Sequence, residues 1–269
     1  MKSEDLEYCD RSTGRSESFD STGDYLRKIR EVLARGDLFQ LVHDGVPFVH
    51  DRIVRPHLPR VYETEYNGVT VCPGKPLDRL LPWIDHGPEP NHESALVDIV
   101  ATHVCPGDNV VAVGGGWGVT TTHAAERVGD EGSVVVYEGS AAEVEKIQET
   151  TRRNGVADRV KVEHVIVGTA ISLRGEPGDA AVISPLDLPA CDILILDCEG
   201  AEIEILQNLE IEPRIIAVES HGHYDAPSDI VARELSELGY EIITKTVADE
   251  GQREACVEKD VYVLAGVVE

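Results

Sequence analysis

The residues best suited to chemistry are three glycines and a glutamate, each placed at the end of a hydrophobic run. VVAVGGGWG contains Gly114, Gly116 and Gly118, and the later run VVVYE ends at Glu138. Glycine lets a turn fold tightly and lets the backbone approach a ligand without interference from a Cβ atom. An ionised carboxylate accepts hydrogen bonds from paired hydroxyls, which suits Glu138 to a ribose diol. The pairing therefore indicates a ligand that contains a nucleoside.

The spacing of the glycines separates two kinds of nucleotide ligand. Here GxGxG is followed by Val119, whereas a dinucleotide-binding turn has GxGxxG, whose third glycine lets the helix pack closely beside a pyrophosphate. The pattern favours S-adenosylmethionine, which has no phosphate. Trp117 in the same turn is either a ring beside this cofactor or a ring packed over the start of the next helix. An ordinary glycine-rich turn without a ligand is the alternative.

A second polar group follows the hydrophobic run DILIL, in the segment DCEGAE. Open α/β sheets bind ligands at the carboxyl ends of their strands, where the strand order reverses. Asp197 is therefore predicted to face the glycine turn across a crevice. Capping of the following helix is the other interpretation, and it accounts for Glu202.

A third run, AVESHGHYDAP, offers groups that can remove a proton from a hydroxyl methyl acceptor. Our hypothesis is that His221 or His223 is the base, oriented by Glu219 or Asp197, since the ordinary pKa of histidine is close to neutrality. Local hydrogen bonding in a polar loop is the alternative. The HxH spacing also fits a metal site with Glu219 and Asp197, but the flexibility expected at Gly222 leads us to expect no metal.

The elements that position these residues alternate strand and helix after residue 90, the pattern of a doubly wound α/β sheet. We expect residues 1–20 to be a mobile tail and 21–90 to be an N-terminal extension. That extension contains a helix from Gly23 and a β-hairpin turning at Asn67-Gly68. Residues 91–269 form the ligand-binding domain. Its predicted strands are VVAV, VVVYE, VKVEHVIV, DILIL, IIAVE, EIITKT and VYVLAGVV, with helices between them.

Composition narrows the classes of partner. The 269 residues carry a formal net charge of −26, and no basic run is present to neutralise a polyanion, which argues against nucleic acid. Such acidity suits concentrated salt, in which charge repulsion is screened. No stretch is long and apolar enough to span a bilayer, and the polar N-terminus does not resemble a signal sequence, so we expect a cytoplasmic protein. The sequence gives no indication of oligomeric state.

From about Asn91 onward the sequence resembles the FkbM-type family of S-adenosylmethionine-dependent methyltransferases. The resemblance is carried by CPGDNVVAVGGGWG, VVVYEGS, SPLDLPACDILILDCEGAE and IIAVESHG, and this variant looks like a salt-loving archaeal branch. It implies a Rossmann-like class I methyltransferase fold, a seven-stranded, mostly parallel sheet with an antiparallel last strand, and usually methylation of a hydroxyl oxygen. It also implies that certain residues contact the cofactor, namely Gly114, Gly116, Gly118, Glu138, Asp197 and, in the helix before the first strand, Glu93.

Two positions depart from the family pattern. Ala112 stands where the family usually has an acidic residue, and Ile195 stands where it has a Lys. An inactive descendant, for example a scaffold that retained the fold, is therefore one alternative. An NAD(P)-linked oxidoreductase is another, because Glu138 would bind a ribose there too. The expected substrate is a small hydroxyl-bearing molecule such as a sugar.

Overall fold

A computed structural model describes residues 6–10, 15–19, 47, 49–81, 83–84, 87–169 and 176–268. The chain divides into two units, one made of Met1–Arg60 and Lys75–Asp85, the other of Val61–Gly74 and His86–Glu269. The predicted boundary at residue 90 differs from this division, because the hairpin within 61–74 belongs with the larger unit.

The smaller unit contains a two-stranded antiparallel sheet and a short helical turn. Strands β1 (Leu6–Asp10) and β2 (Arg15–Phe19) pair within the segment that we expected to be a tail. A π-helical turn, His50–Val54, leads to Arg55, whose guanidinium donates to both oxygens of the buried Asp78 at 3.0 and 2.9 Å. The helix predicted from Gly23 lies outside the described residues.

The larger unit begins with the predicted hairpin. Strands β3 (Tyr62–Tyr66) and β4 (Val69–Gly74) are antiparallel. Asn67 and Gly68 between them both have positive φ, 46° and 78°, as a type I′ turn requires. This confirms the hairpin that the Asn-Gly dipeptide predicts.

The main sheet of this unit has eight strands in the order β11-β12-β10-β9-β5-β6-β7-β8. Strand β12 alone runs antiparallel to its neighbours, which confirms the predicted Rossmann-like α/β fold with an antiparallel last strand. The edge strand β8 was not predicted, because its apolar run AVI is only three residues long. The bounds are β5 (Asn109–Val113), β6 (Ser133–Glu138), β7 (Val160–Val167), β8 (Ala181–Ile183), β9 (Ile193–Leu196), β10 (Ile215–Glu219), β11 (Glu241–Val247) and β12 (Tyr262–Val267).

Helices cover both faces of this sheet. In β9, Ile193 and Ile195 belong to one apolar core, whereas Leu194 and Leu196 belong to the other, so the strand is buried on both sides. None of the helices in the described part of the chain has both the length and the apolar character needed to cross a lipid bilayer. The helices are α1 (Ser94–His103), α2 (Val119–Val128), α3 (Ala141–Arg153), α4 (Glu202–Gln207), α5 (Ser228–Glu237) and α6 (Arg253–Lys259), the last of which was not predicted.

The β3–β4 hairpin packs on the helical layer of the larger unit. The Thr70 N–H donates to the Asn154 side-chain oxygen at 3.0 Å, and the Asn154 amide donates back to the Thr70 carbonyl at 2.9 Å. An apolar cluster fills the space beneath the hairpin. Its members are Tyr66, Val69, Val71, Val97 and Val119, with Trp117 packed against them.

Candidate functional site

A crevice opens at the carboxyl ends of β5, β6, β7 and β9, where ligands bind in sheets of this topology. Its empty space, including the part open to solvent, is about 590 Å³. Its lining residues include the glycine turn Gly114–Gly116, Tyr137, Glu138, Glu143, Val165–Val167, Asp197, Cys198 and Glu199.

The glycine turn lies directly against the end of β9. Gly114 has a φ of +87°, and a Cβ atom at this position would stand 1.7 Å from the carbonyl oxygen of Asp197. No residue other than glycine fits such a contact, because both the backbone angle and the space exclude a side chain. The close approach brings Asp197 across from the turn, as its place at a strand end predicts.

Glu138 is held by the backbone on one wall of the crevice. Its two carboxylate oxygens accept hydrogen bonds from the N–H groups of Gly115 at 3.1 Å and Ser140 at 2.8 Å. Glu138 also lines the crevice, and a carboxylate there can accept hydrogen bonds from ligand hydroxyls. Sequence reasoning missed Gly115 as a binding residue.

The Glu93 carboxylate binds the N-terminus of α2. Its Oε2 accepts hydrogen bonds from the Thr120 N–H at 3.0 Å and the Thr120 hydroxyl at 2.7 Å. Burial favours the neutral acid, yet hydrogen bonds from His92 and Thr120 hold the pKa of Glu93 below its ordinary value. A negative charge therefore already interacts with this end of the helix, beside a smaller recess of about 250 Å³ that shares Gly114, Gly115 and Asp197 with the crevice.

Asp197, Glu219 and His221 come together at the ends of β9 and β10, and we call them the acidic-histidine cluster. The Nε2 atom of His221 lies 3.6 Å from Asp197 Oδ1 and 3.6 Å from Glu219 Oε1. Its Nδ1 atom lies 2.8 Å from Oε1 of Glu202. Burial opposes a charge on the ring, but the hydrogen bond with Glu202 and the negative Asp197 and Glu219 raise the pKa of His221 to about 9.

Glu202 does more than the helix capping that its sequence position predicts. Its side chain is fully buried, and it accepts hydrogen bonds from the N–H groups of Cys198 at 3.2 Å and Gly200 at 2.8 Å. The same carboxylate holds the His221 ring. No local pattern indicates this contact, because Glu202 and His221 are 19 residues apart and meet only through the fold.

The backbone of His221 is fixed by the loop around it. Its N–H donates to the Ala226 carbonyl at 2.8 Å, and the Ala226 N–H donates back at 3.2 Å. The next residue, Gly222, donates its N–H to the Asp260 carbonyl. Backbone hydrogen bonds therefore hold the loop at Gly222, where the sequence led us to expect flexibility.

His223 and Trp117 lie away from the crevice. His223 is exposed on the 3-10 turn after His221 and stacks on Tyr224 at a ring distance of 4.0 Å. Partial burial and the nearby His221 lower the pKa of His223. Trp117 meets Tyr66 edge-to-face at 5.9 Å, and the Lys146 ammonium lies 4.5 Å from the centre of its ring. Trp117 thus packs against the cluster beneath the hairpin, and its contact with the cofactor stays a prediction.

The crevice is strongly negative. Glu138, Glu143, Asp197 and Glu199 line it, and among its described lining residues none is Lys, Arg or His. With Glu93 at the adjoining recess, this environment favours a ligand that carries positive charge and disfavours phosphate.

Comparison with known proteins gives neither a matching family model nor a matching curated protein. Among solved structures, the chain is similar to a Methanococcus jannaschii fibrillarin pre-rRNA processing protein. The two are 15% identical, the match covers 66% of this chain and 75% of that chain, and the TM-score is 0.46. It is also similar to a Bacillus cereus O-methyltransferase in complex with SAH, with 15% identity, 65% and 81% of the two chains and a TM-score of 0.44. Aeropyrum pernix fibrillarin with natively bound S-adenosyl-L-methionine gives 16% identity, 78% and 100% coverage and a TM-score of 0.44.

Proposed function

We propose that this protein is an S-adenosylmethionine-dependent methyltransferase that acts on a hydroxyl oxygen of a sugar or another small metabolite. The observation that carries the proposal is the charge pattern of the crevice. Glu138 offers carboxylate lone pairs to a ribose, while the end of α2, where a phosphate would bind, already holds the Glu93 carboxylate. A nucleoside without phosphate and with a positive charge fits both features.

The occupied end of α2 also argues against the NAD(P)-linked alternative. Dinucleotide folds place the pyrophosphate at the helix N-terminus, where free N–H groups and the helix dipole stabilise it. Here the Thr120 N–H donates to Glu93, whose lowered pKa keeps it ionised. A pyrophosphate would lose that donor and would face a like charge.

The residues of the crevice have distinct tasks in this proposal. S-adenosylmethionine supplies, when bound, a methyl group activated by a positive sulfonium. Glu138 would bind the ribose hydroxyls, and the Gly114–Gly116 turn would let the backbone approach the ligand closely. Asp197 lies where the crevice meets the acidic-histidine cluster. Catalysis then consists mainly of aligning the two substrates and excluding water.

The acidic-histidine cluster is the proposed acceptor side of the site. Asp197, Glu219 and His221 would take the proton from the acceptor hydroxyl as one coupled group, because their charges interact within a few ångströms. Of the two candidate histidines, only His221 belongs to this group. The pKa of His221, raised to about 9, does not suit a lone imidazole base near neutrality, which favours a shared role with the carboxylates.

The two departures from the FkbM-type pattern support an intact site rather than a scaffold. Ala112 on β5 and Ile195 on β9 are direct partners in register, and both are buried. A buried ion pair can be replaced by apolar residues without loss of stability, provided that both partners change together. Here both charged residues of the family pattern are replaced by apolar ones, so no unpaired charge is left beside the crevice. We propose membership of this family on these residues and motifs.

Calorimetry in molar KCl with S-adenosylhomocysteine, S-adenosylmethionine and NAD tests the assignment. We expect both sulfur ligands to bind and NAD not to bind. Glu138→Ala should weaken S-adenosylhomocysteine binding at least about tenfold, because a hydrogen bond to a charged group contributes about 1.5–3 kcal/mol.

Glu163→Ala is the matched control, since Glu163 lies on the neighbouring strand β7 and does not line the crevice. It should bind like the unsubstituted protein. NAD binding would support the oxidoreductase instead, and no binding of any of the three ligands would support the scaffold.

A further inference from the structure

We propose that Asp197, Glu219 and His221 form a binding site for one divalent metal ion at the edge of the crevice. Two carboxylate oxygens and one imidazole nitrogen point toward the same small volume, and all three atoms lie within 4.8 Å of one another. The site has the ligand types that bind Mn²⁺, Co²⁺ or Zn²⁺.

The distances fit shared coordination better than direct hydrogen bonding. Nε2 of His221 is 3.6 Å from each carboxylate oxygen, which is too long for a hydrogen bond. A point equidistant from three atoms with these separations lies roughly 2.0–2.4 Å from each of them, the range of metal–nitrogen and metal–oxygen bonds. The three side chains could therefore bind an ion with little movement.

The surroundings of His221 match those of a metal-ligating histidine. Such a histidine generally donates its second ring N–H to a carboxylate, which fixes the tautomer and the ring orientation. Glu202 supplies that carboxylate, 2.8 Å from Nδ1 and fully buried. Because an ionised carboxylate only accepts, Nδ1 carries the hydrogen, and Nε2 faces Asp197 and Glu219.

The charge of the group also calls for a cation. Asp197, Glu202 and Glu219 place three carboxylates around one buried imidazole. A concentration of negative charge favours binding of a cation. Three protein ligands leave coordination positions open for water or substrate.

The consequence for catalysis rests on the proposed function, whereas the metal site itself does not. An acceptor hydroxyl that binds the ion would lose its proton to water more readily, because a bound cation lowers the pKa of its oxygen ligand. The role of His221 then becomes that of a metal ligand, which suits its fixed position.

The test measures Mn²⁺ binding to the full-length protein after treatment with chelator, in molar KCl and without cofactor or acceptor. Electron paramagnetic resonance of the free ion should show one saturable site, and pulsed measurements should show coupling to an imidazole nitrogen. Asp197→Asn and His221→Gln should each weaken binding at least tenfold, and His221→Gln should abolish the nitrogen coupling. Glu202→Gln should weaken binding about 10–100-fold as a supporting partner.

His223→Gln is the matched control, because His223 belongs to the same HxH segment but lies outside the cluster. It should leave affinity and nitrogen coupling unchanged. Asp197 is partly exposed, so Asp197→Asn keeps the test valid if the buried His221 variant does not fold. Absence of saturable binding, or binding that Asp197→Asn leaves unchanged, would overturn the metal site. S-adenosylhomocysteine binding is measured separately, so failure of either proposal is distinguishable from failure of the other.

Discussion

The two walls of the crevice hold their carboxylates in opposite ways. On one wall, Glu138 accepts backbone N–H groups from Gly115 and Ser140, so neutral dipoles stabilise its charge. On the other wall lies Asp197, which converges on His221 together with Glu202 and Glu219, two residues that do not line the crevice. Backbone dipoles hold one carboxylate, whereas the other three carboxylates surround an imidazole whose pKa their negative charge raises to about 9. The difference agrees with our proposals that the first wall binds the ribose hydroxyls and that the second binds a cation.

The largest expected effect is on stability, and it comes from adding a side chain where the glycine turn touches the end of β9. Gly114→Ala would place a methyl group against the Asp197 carbonyl, and we expect a loss of about 3 kcal/mol or more in the free energy of unfolding. Urea denaturation in molar KCl measures it. Gly107→Ala is the control, because Gly107 has nearly the same φ, +88°, but nothing within 4 Å of the added atom. Equal losses in the two variants would show that backbone strain, not contact with Asp197, decides the effect.

Removal of the buried charge on the second wall should come next. Glu202→Gln replaces one carboxylate oxygen by an NH2 group, which cannot accept, so either Gly200 or the pair Cys198 and His221 loses its acceptor. We expect a loss of about 2–4 kcal/mol, because broken buried networks are costly. The same denaturation experiment measures it, with Glu254→Gln at an exposed position of α6 as the control. A loss no greater than that of the control would contradict a buried network at Glu202.

A smaller loss of stability should follow when only one of the two Thr120 donors to Glu93 is removed. Thr120→Val removes the hydroxyl donor at 2.7 Å but keeps the backbone donor, so we expect a loss of about 1.5–2 kcal/mol. Thr122→Val loses a hydroxyl bond to the neutral Gly118 carbonyl and should lose only about 0.5–1 kcal/mol. If the order of the two losses were reversed, Glu93 would not be the charged partner described above.

The smallest expected effect is on ligand affinity, and it comes from Trp117, which does not line the crevice. Trp117→Phe keeps an aromatic ring in the cluster with Tyr66, so S-adenosylhomocysteine affinity should stay within about twofold, a change of roughly 0.4 kcal/mol. Calorimetry measures this affinity. A tenfold loss would place the indole ring at the cofactor, as one of the two sequence interpretations has it.

Much of the sheet and one wall of the crevice could be predicted because they follow from local patterns. Apolar runs give the parallel strands, and a carboxylate at a strand end, such as Glu138 or Asp197, must lie at the binding edge. The second wall depends on contacts between distant elements. Glu202 meets His221, and Glu93 meets Thr120, only after helices have packed on the sheet.

The HxH pattern shows why spacing alone was insufficient on the second wall. Alternate residues share a face only while the strand continues. Here β10 ends at Glu219, and a 3-10 turn begins at Gly222. His221 and His223 therefore point in different directions, with ring centres 6.0 Å apart.

The β3–β4 hairpin has a consequence for where the chain can be shortened. Tyr66, Val69 and Val71 cover Val97 and Val119 on the helical layer, and Asn154 bonds to Thr70 on the same hairpin. A fragment starting at residue 91 would leave this apolar surface in water and should aggregate. A fragment starting at residue 61 would retain the cover and should stay dispersed, so the unit that contains the main sheet begins some thirty residues earlier than the motifs alone indicate.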